Sequence, residues 1–192
     1  LASESKFNAI EIHDIGFVTS HAEKIRKLFF SNGVEIAAIN SNFNIADKED
    51  QESLYMTLAG LMKAAKRIHC HYIKVYAESD DENAVEECID FLSKAIPIAE
   101  AAGVTILIVT RDLFADTDKL ATVLKHFACD NLAADWNMHD TFFNAGEDAE
   151  TTIKNLGAYV KLVHVVDQTM DKQYALIGDG ALPIEEMRNA LR

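Results

Sequence analysis

Carboxylate and imidazole side chains are concentrated in three segments of this sequence, each within or just after a short β-rich run. The segment EIHD contains Glu11 and His13, which the alternation of a strand places on one face. The segment DWNMHD, from Asp135 to Asp140, holds several groups that can ligate a metal ion, and the segment VHVVD contains His164. Side chains of these types bind hard divalent cations or transfer protons, so both kinds of chemistry are open.

Other kinds of site find little support in the sequence. The three cysteines, Cys70, Cys88 and Cys129, are widely spaced and form no CxxC pair, which is typical of idle thiols in a reducing cytoplasm. No GxSxG, GxGxxG or P-loop motif is present. The formal net charge of −13 argues against nucleic acid as a partner, and no run of 18 apolar residues predicts a membrane span. We therefore expect a cytoplasmic protein with neither a nucleic-acid nor a membrane partner.

The elements that must position these groups are predicted to alternate between strand and helix. Six short β-rich runs lie at residues 9–13, 34–39, 72–76, 104–109, 132–137 and 159–166. Apolar residues recur at helical spacing between them and after the last, at residues 21–31, 51–68, 83–102, 117–128, about 149–156 and 183–191. Gly33 and Gly103 stand where a left-handed helix cap is wanted, and Asp116 precedes a helix that it can cap.

Strict alternation of strand and helix predicts a parallel sheet joined by crossover helices. Two architectures satisfy this pattern: an open doubly wound sheet and a closed barrel. An open sheet usually has a glycine-rich loop after its first strand, whereas the loop here reads DIGFVTS and has a single glycine. The absence of a glycine-rich loop favours the barrel but leaves the open sheet as an alternative.

Several segments resemble, in the same order, those of the xylose isomerase-like family of sugar-phosphate isomerases and epimerases. They read AEAAGVTILIVTRD, LFADTDKLATVLKHFACDNLAADWNMHDTFFNAGED, NLGAYVKLVHVVDQ and ALIGDGALPIEEMRNAL, and KFNAIEIHD is similar to the family's second strand, usually written GFDGIEL. The resemblance covers nearly the whole chain. It implies an α/β fold of the (β/α)₈ TIM-barrel type in one domain, residues 1–192.

The match implies that the barrel is incomplete. The six strands correspond to the family's second to seventh, so the first and last are missing and residues 1–6 end the first helix. We therefore expect the chain to be a fragment or a trimmed piece of the domain, because a (β/α)₈ domain usually takes about 250 residues. An open arc of strands leaves unpaired edges that aggregate or pair with another chain, so a homo-oligomer is one expectation.

The resemblance further implies a divalent cation, Mn²⁺, Mg²⁺ or Zn²⁺, held at the barrel mouth by Glu, Asp, His and Glu. His164 matches the expected histidine, but Val109 stands at the fifth-strand glutamate and Asn137 at the sixth-strand aspartate. Asp135 and His139 are candidates to complete a ligand set with His164 and Asn137. The alternative is that Asp135 pairs with a neighbour and that His139 simply begins a polar loop.

The predicted substrate-binding residues are Glu11, His13, Trp136 and Asp140. In the family, residues at the position of Glu11 and His13 more often line the pocket than hold the metal, although the two could also form a buried polar pair. Trp136 could stack on a sugar ring above the mouth, or it could pack in the core. No catalytic residue is assigned.

Two functions remain open. The first is a sugar or sugar-phosphate isomerase or epimerase, with metal-assisted proton transfer next to a carbonyl of a small sugar or polyol. The second is a non-catalytic or metal-independent barrel that binds a sugar or a partner subunit. The replacements at Val109 and Asn137 favour the second, and the retained HVVD segment favours a retained ligand.

Overall fold

The computed structural model of the chain describes residues 5–47 and 51–192. Its main sheet consists of six parallel strands that pair in chain order. They are β1 (Ala9–Ile12), β2 (Glu35–Asn44), β3 (Tyr72–Tyr76), β4 (Thr105–Val109), β5 (Leu132–Asn137) and β6 (Val160–His164). The predicted strands are therefore confirmed, while the expectation for residues 1–6 falls largely outside the described residues.

Helices connect the strands and lie side by side. They are α1 (Ile15–Asn32), α2 (Gln51–Arg67), α3 (Ala84–Ala102), α4 (Thr117–Phe127), α5 (Ala149–Leu156) and α6 (Ile184–Ala190). Each helix contacts the next one in the chain, from α1 to α6, as expected when all of them cover the same face of a curled sheet. The barrel prediction is confirmed, and the barrel is incomplete. Within the described residues, no helix has the length and apolar character needed to cross a bilayer.

The main core lies between the strands and the helices. Alternate strand residues such as Ile73, Val75, Ile106 and Ile108 pack there against helix side chains and are fully buried. Because successive strand residues point to opposite faces, the residues between them face the barrel interior. Lys74 belongs to this second set, and it brings a charged group inside the barrel.

Most predicted helix ends are confirmed, and one is not. Gly33 and Gly103 adopt φ angles of 62° and 68° and close α1 and α3, while the Asp116 side chain caps α4. Helix α1 begins earlier than predicted, because the Asp14 carboxylate accepts a hydrogen bond from the Phe17 N–H at 2.8 Å. The predicted start at His21 coincides with a kink inside the helix, where φ is −128° and ψ is 27°.

Three features of the fold were not predicted. Strand β2 continues to Asn44 past an irregularity that includes Asn42, whose φ is 55°. A π-helical turn, Asp140–Asn144, follows β5. After β6 comes a small antiparallel hairpin of β7 (Asp167–Gln168) and β8 (Tyr174–Ala175).

Candidate functional site

The most concentrated group of charged side chains lies inside the barrel and consists of Glu11, Lys74, Asp135 and His164. We call it the Lys74 cluster. Glu11 lies on β1, Lys74 on β3, Asp135 on β5, and His164 is the last residue of β6. The cluster forms because every strand of the arc directs alternate residues towards the barrel axis, and on these four strands one of those residues is charged. It lies towards the carboxyl ends of the strands, where active sites occur in this fold.

The ammonium of Lys74 is the centre of the cluster. Its Nζ lies 2.8 Å from Oδ2 of Asp135 and 3.0 Å from Oε2 of Glu11. The side chain of Lys74 is only 2% exposed and that of Asp135 is 0% exposed. A buried charge is tolerated only when it is paired, and here one ammonium contacts two carboxylates from opposite sides of the barrel.

His164 closes the cluster on the solvent side. Its Nδ1 lies 3.0 Å from Oδ1 of Asp135, and its Nε2 lies 3.4 Å from Oε2 of Glu11. The side chain is 37% exposed, so this imidazole is the member of the cluster that a ligand entering the mouth meets first. An imidazolium donates from both nitrogens, which matches one carboxylate acceptor at each nitrogen.

These contacts move the pKa values of the cluster apart. The hydrogen bond to Asp135, and after it the one to Glu11, raises the pKa of His164 from 6.5 to about 9. Burial alone would raise the pKa of Glu11, but hydrogen bonds from His164 and Lys74 outweigh it and lower the value to about 2. Burial would lower the pKa of Lys74, whereas its pairing with Asp135 and Glu11 raises it. At neutral pH Lys74 and His164 therefore carry positive charge and Glu11 carries negative charge.

The donor set does not fit a divalent cation. The oxygens and nitrogens of Glu11, Asp135 and His164 converge on an ammonium, which would repel a metal ion placed among them. Val109, which pairs with Asp135 across the sheet, is buried and offers no donor atom. Among residues 5–47 and 51–192, there is no group of three or more His, Cys, Asp or Glu side chains that could hold a metal ion.

A second polar group, the Asp140 cluster, consists of Asn137, His139, Asp140 and Asn144. The Asp140 carboxylate accepts hydrogen bonds from Nδ2 of Asn137 at 2.8 Å and Nδ2 of Asn144 at 3.0 Å, and its Oδ1 lies 2.7 Å from Nδ1 of His139. Oδ1 of Asn137 also accepts the N–H of Asp140 at 3.3 Å. Since both ends of the Asn137 amide are engaged with Asp140, this cluster shapes the turn after β5.

The eight residues predicted for the site are thus divided among three places. The structure brings Glu11, Asp135 and His164 together, and His13 joins them through Nε2, which lies 3.2 Å from Oε1 of Glu11. Three others, Asn137, His139 and Asp140, form the Asp140 cluster. Trp136 stands apart: it is fully buried among helix residues, and its Nε1–H donates to Oγ1 of Thr141 at 3.0 Å, which favours the packing interpretation.

His69 and His71 lie at the opposite end of the barrel, just before β3. They line a pocket of about 550 Å³ together with Arg26, Phe29 and Tyr72, among others. This pocket is next to the amino-terminal end of β3, and the Lys74 cluster is not among its lining residues. In this fold the amino-terminal end contributes stability and the carboxyl-terminal end carries chemistry.

Sequence reasoning missed Lys74 and the polar residues near it. Nδ2 of Asn40 donates to the Tyr76 hydroxyl at 2.8 Å, and the guanidinium carbon of Arg111 lies 5.6 Å from the centre of the Tyr76 ring. The signal for Lys74 was available in YIKVY, because a lysine between apolar residues of a parallel strand has no solvated face to occupy. Tyr76 and Asn40 carry no comparable signal, since their pairing depends on the irregularity in β2.

A shallow pocket of about 200 Å³ lies beside these residues. Asn42, Asn44, Tyr76, Glu78 and Arg111 line it, together with Asp112. The Asn42 amide, the Tyr76 phenol and the Arg111 guanidinium are groups that can form hydrogen bonds with a ligand, whereas the Asn44 amide is engaged with the backbone of Glu78.

The comparisons with known proteins agree with this architecture. The chain superposes on a xylose isomerase domain protein from Planctomyces limnophilus with a TM-score of 0.84 and 15% identity, over 99% of this chain and 79% of that one. For D-psicose 3-epimerase with D-tagatose from Clostridium cellulolyticum H10 the TM-score is 0.82 at 14% identity, over 99% and 72%. For an IolI protein with a binding zinc atom it is 0.82 at 16% identity, over 99% and 76%.

At these identities the superpositions show the fold alone. No curated protein sequence matches the chain. The sequence profile of the family described as "Xylose isomerase-like TIM barrel" matches residues 1–192 in full. The chain therefore belongs to the xylose isomerase-like TIM barrel family.

Proposed function

We propose that the chain is a sugar isomerase/epimerase-like barrel that binds a small sugar or polyol at its mouth and transfers a proton next to the carbonyl without a metal. The observation that carries the proposal is the convergence of Glu11 and His164 on either side of one point. They lie on the first and last strands of the arc, yet Oε2 of Glu11 is 3.4 Å from Nε2 of His164. Both side chains reach solvent, at 15% and 37% exposure.

A carboxylate and an imidazolium so placed can act as base and acid on one substrate. The carboxylate of Glu11 takes the proton from the carbon beside the carbonyl, and His164 gives a proton to the carbonyl oxygen, which produces an enediol. Return of the proton from Glu11 to the former carbonyl carbon, while the neighbouring enediol hydroxyl gives its proton back to His164, yields the isomer. The epimer forms when water delivers a proton to the other face of the original carbon, while the enediol hydroxyl returns its proton to His164 and Glu11 gives its proton to solvent. Substrate binding would have to draw Glu11 out of its ion pairs, because a carboxylate with a pKa near 2 is a weak base.

The neighbouring residues support a sugar as the ligand. His13 lies 64% exposed beside Glu11, and the pocket lined by Asn42, Tyr76 and Arg111 offers further hydrogen-bonding groups. Several proteins with the same fold carry the names of epimerases that act on sugars, such as D-psicose 3-epimerase and L-ribulose 3-epimerase. Within this proposal His164, Glu11 and His13 contact the ligand, whereas Asn137, His139 and Asp140 hold the turn beside them.

The alternative function is sugar binding without catalysis. One observation favours it: the members of the Lys74 cluster already pair with one another, and the pKa values of Glu11, Lys74 and His164 are moved away from neutrality. Efficient acid–base catalysis needs pKa values near the working pH. The same barrel could therefore retain a ligand while having lost turnover.

Hydrogen exchange in D₂O distinguishes the two functions. Ketohexoses including D-psicose and D-tagatose are incubated with the protein, and NMR detects deuterium at the carbon beside the carbonyl. We expect exchange with the wild-type chain, and a loss of at least about 100-fold in the Glu11→Gln and His164→Asn variants, because general acid–base groups contribute on that scale. His126→Asn and Glu100→Gln, exposed helix positions, serve as matched controls that retain exchange.

Each result has a defined meaning. Binding measured by calorimetry without exchange would support the non-catalytic alternative. Exchange that survives both the Glu11→Gln and the His164→Asn substitution would show that the proton transfer has been assigned to the wrong residues. Absence of both binding and exchange across the panel would contradict the proposal of a sugar site.

A further inference from the structure

We propose that the ammonium of Lys74 stands in for a divalent cation inside this barrel: it neutralises the interior carboxylates and excludes a metal ion from them. The proposal rests on three properties of the Lys74 cluster: the convergence of donors on one nitrogen, the burial of that nitrogen, and the balance of charge around it. It deepens the proposed function and rests on it for the use of the site, but its test measures metal binding and not turnover.

The convergence is the first argument. Nζ of Lys74 lies 2.8 Å from Asp135 Oδ2 and 3.0 Å from Glu11 Oε2, so that carboxylates from β5 and β1 converge on one point. Carboxylate oxygens on different strands are donors that hold metal ions in proteins. In this chain the same kind of donor holds a nitrogen cation.

The strand register explains how a lysine reaches this point. Lys74 pairs across the sheet with Leu107, whereas Asp135 pairs with Val109, one alternation nearer the carboxyl end of β4. The four-carbon stem of Lys74 covers the difference in height, with Leu107 and Val109 forming an apolar wall beside it. Both of those residues are buried, at 0% and 3% exposure.

Charge balance is the third argument. A lysine supplies one positive charge where a metal supplies two, so the cluster needs fewer anions. The sequence has fewer carboxylates here than the resemblance implies. Val109 and Asn137 are neutral at the two positions where the resemblance implies carboxylates, which leaves Glu11 and Asp135 to face Lys74 and His164. A divalent cation placed among these carboxylates would lie a few ångströms from the Lys74 ammonium and be repelled by it, so Lys74 and a metal exclude each other.

Replacement of the lysine is the direct test. Mn²⁺ is titrated into the wild-type chain and into Lys74→Met, with binding followed by calorimetry and the melting temperature recorded at each concentration. We expect Lys74→Met to bind Mn²⁺ at least about tenfold more tightly than the wild type, because a like charge a few ångströms away is removed. Its melting temperature should rise with Mn²⁺, and a second substitution, His164→Asn, should abolish both gains.

A measurement on the wild type keeps the test decisive even if Lys74→Met folds poorly. Mn²⁺ broadens the NMR signals of nearby histidine rings, and in the wild type we expect those of His164 to broaden no more than those of His126, which is exposed on α4. Selective broadening of His164 in the wild type would overturn the inference, as would a folded Lys74→Met variant without any gain in affinity. Equal broadening together with Mn²⁺-dependent folding of Lys74→Met would support it.

Discussion

At the scale of single residues, Lys74 is the side chain on which the interior of the barrel depends. Its ammonium faces Glu11 and Asp135, and it is 2% exposed. Replacing it by Met keeps the stem but leaves two carboxylates without their shared partner. Since breaking a buried ion pair from one side leaves an uncompensated charge, we predict a loss of about 3–5 kcal/mol in the free energy of unfolding, measured by urea denaturation.

An exposed ion pair provides the matched control for this prediction. Lys119 on α4 lies 3.6 Å from Asp116, and both side chains are about half exposed. Lys119→Met should cost less than about 1 kcal/mol, because solvent screens such pairs. Equal losses in the two variants would show that Lys74 is not buried among the carboxylates as described.

The dependence of stability on pH is the second prediction at this scale. His164 has a pKa raised from 6.5 to about 9 by Asp135 and Glu11, with Lys74 opposing. A raised pKa means that the folded state binds the proton more tightly, so this contribution is fully present below pH 6.5 and is lost as the pH rises through about 9. Thermal melting should therefore show stability falling between these values, and His164→Gln should flatten that limb.

Glu11 acts in the opposite direction at acid pH. It faces Lys74, His164 and His13, and its pKa is lowered from 4.5 to about 2. Its contribution is present above pH 4.5 and is lost as the pH falls through about 2, so Glu11→Gln should flatten the acid limb. The same substitution should weaken the alkaline limb in part, because Glu11 also raises the pKa of His164. A wild-type profile that stays level from pH 6.5 to 9 would contradict the description of the cluster.

Individual site residues could be predicted from the sequence only in part. Strand alternation and the HVVD segment placed Glu11, Asp135 and His164 inside a barrel. Their contacts were not predicted, because alternation gives the face on which a residue lies but not its depth in the barrel, and Lys74 was not identified as their partner. The interpretation that Asp135 pairs with a neighbour was left open, and the structure supplies that neighbour, Lys74, at 2.8 Å.

At the scale of elements, hydrophobic periodicity and helix-capping residues predicted most of the structure. The apolar alternation located all six parallel strands, and glycine caps located the ends of α1 and α3. The differences arose where side chains bond to the backbone locally: Asp14 starts α1 early, and the Asn40 side chain accepts the N–H of Asn42 where β2 becomes irregular. Such contacts depend on geometry within a few residues, and hydrophobic periodicity does not report them.

The turn after the small hairpin gives a prediction for one element. The Asp167 carboxylate accepts hydrogen bonds from the N–H groups of Gly178, Gly180 and Leu182 at 2.9, 3.0 and 3.1 Å. A Cβ on Gly180 would overlap the Asp167 carboxylate, and it would lie 2.7 Å from the Gln168 carbonyl oxygen. We predict that Gly180→Ala lowers the free energy of unfolding by about 1–3 kcal/mol, as overpacking usually does.

A glycine without neighbours is the control for this substitution. Gly60 lies within α2, and a Cβ added there meets nothing within 4 Å. Gly60→Ala should therefore stabilise the chain by about 0.5–1 kcal/mol, since alanine favours the helix. If both substitutions stabilised the chain, the turn would not be built around the Asp167 carboxylate.

At the scale of the whole molecule, the curl of the sheet is what creates a site. In a flat sheet of six strands, β1 and β6 would lie about 24 Å apart, given a spacing of about 4.8 Å between neighbours. In the structure, side chains from these two strands come within 3.4 Å of each other. The contact between Glu11 and His164 therefore depends on the twist and closure of all the strands between them.

The energetic coupling between these two residues tests that closure in solution. A double-mutant cycle with Glu11→Gln and His164→Gln, followed by urea denaturation near pH 6, should give a favourable coupling of at most about 1 kcal/mol, because His164 is partly exposed and solvent screens the pair. The companion cycle of Glu11→Gln with His126→Gln joins the same carboxylate to an exposed histidine on α4 and should give no coupling. A flat or loosely curled sheet would leave both cycles additive.

Repeating the first cycle in Lys74→Met separates the direct contact from the coupling transmitted through the ammonium, because Lys74 contacts both residues. A coupling between Glu11 and His164 that survives in that variant requires the two ends of the arc to meet.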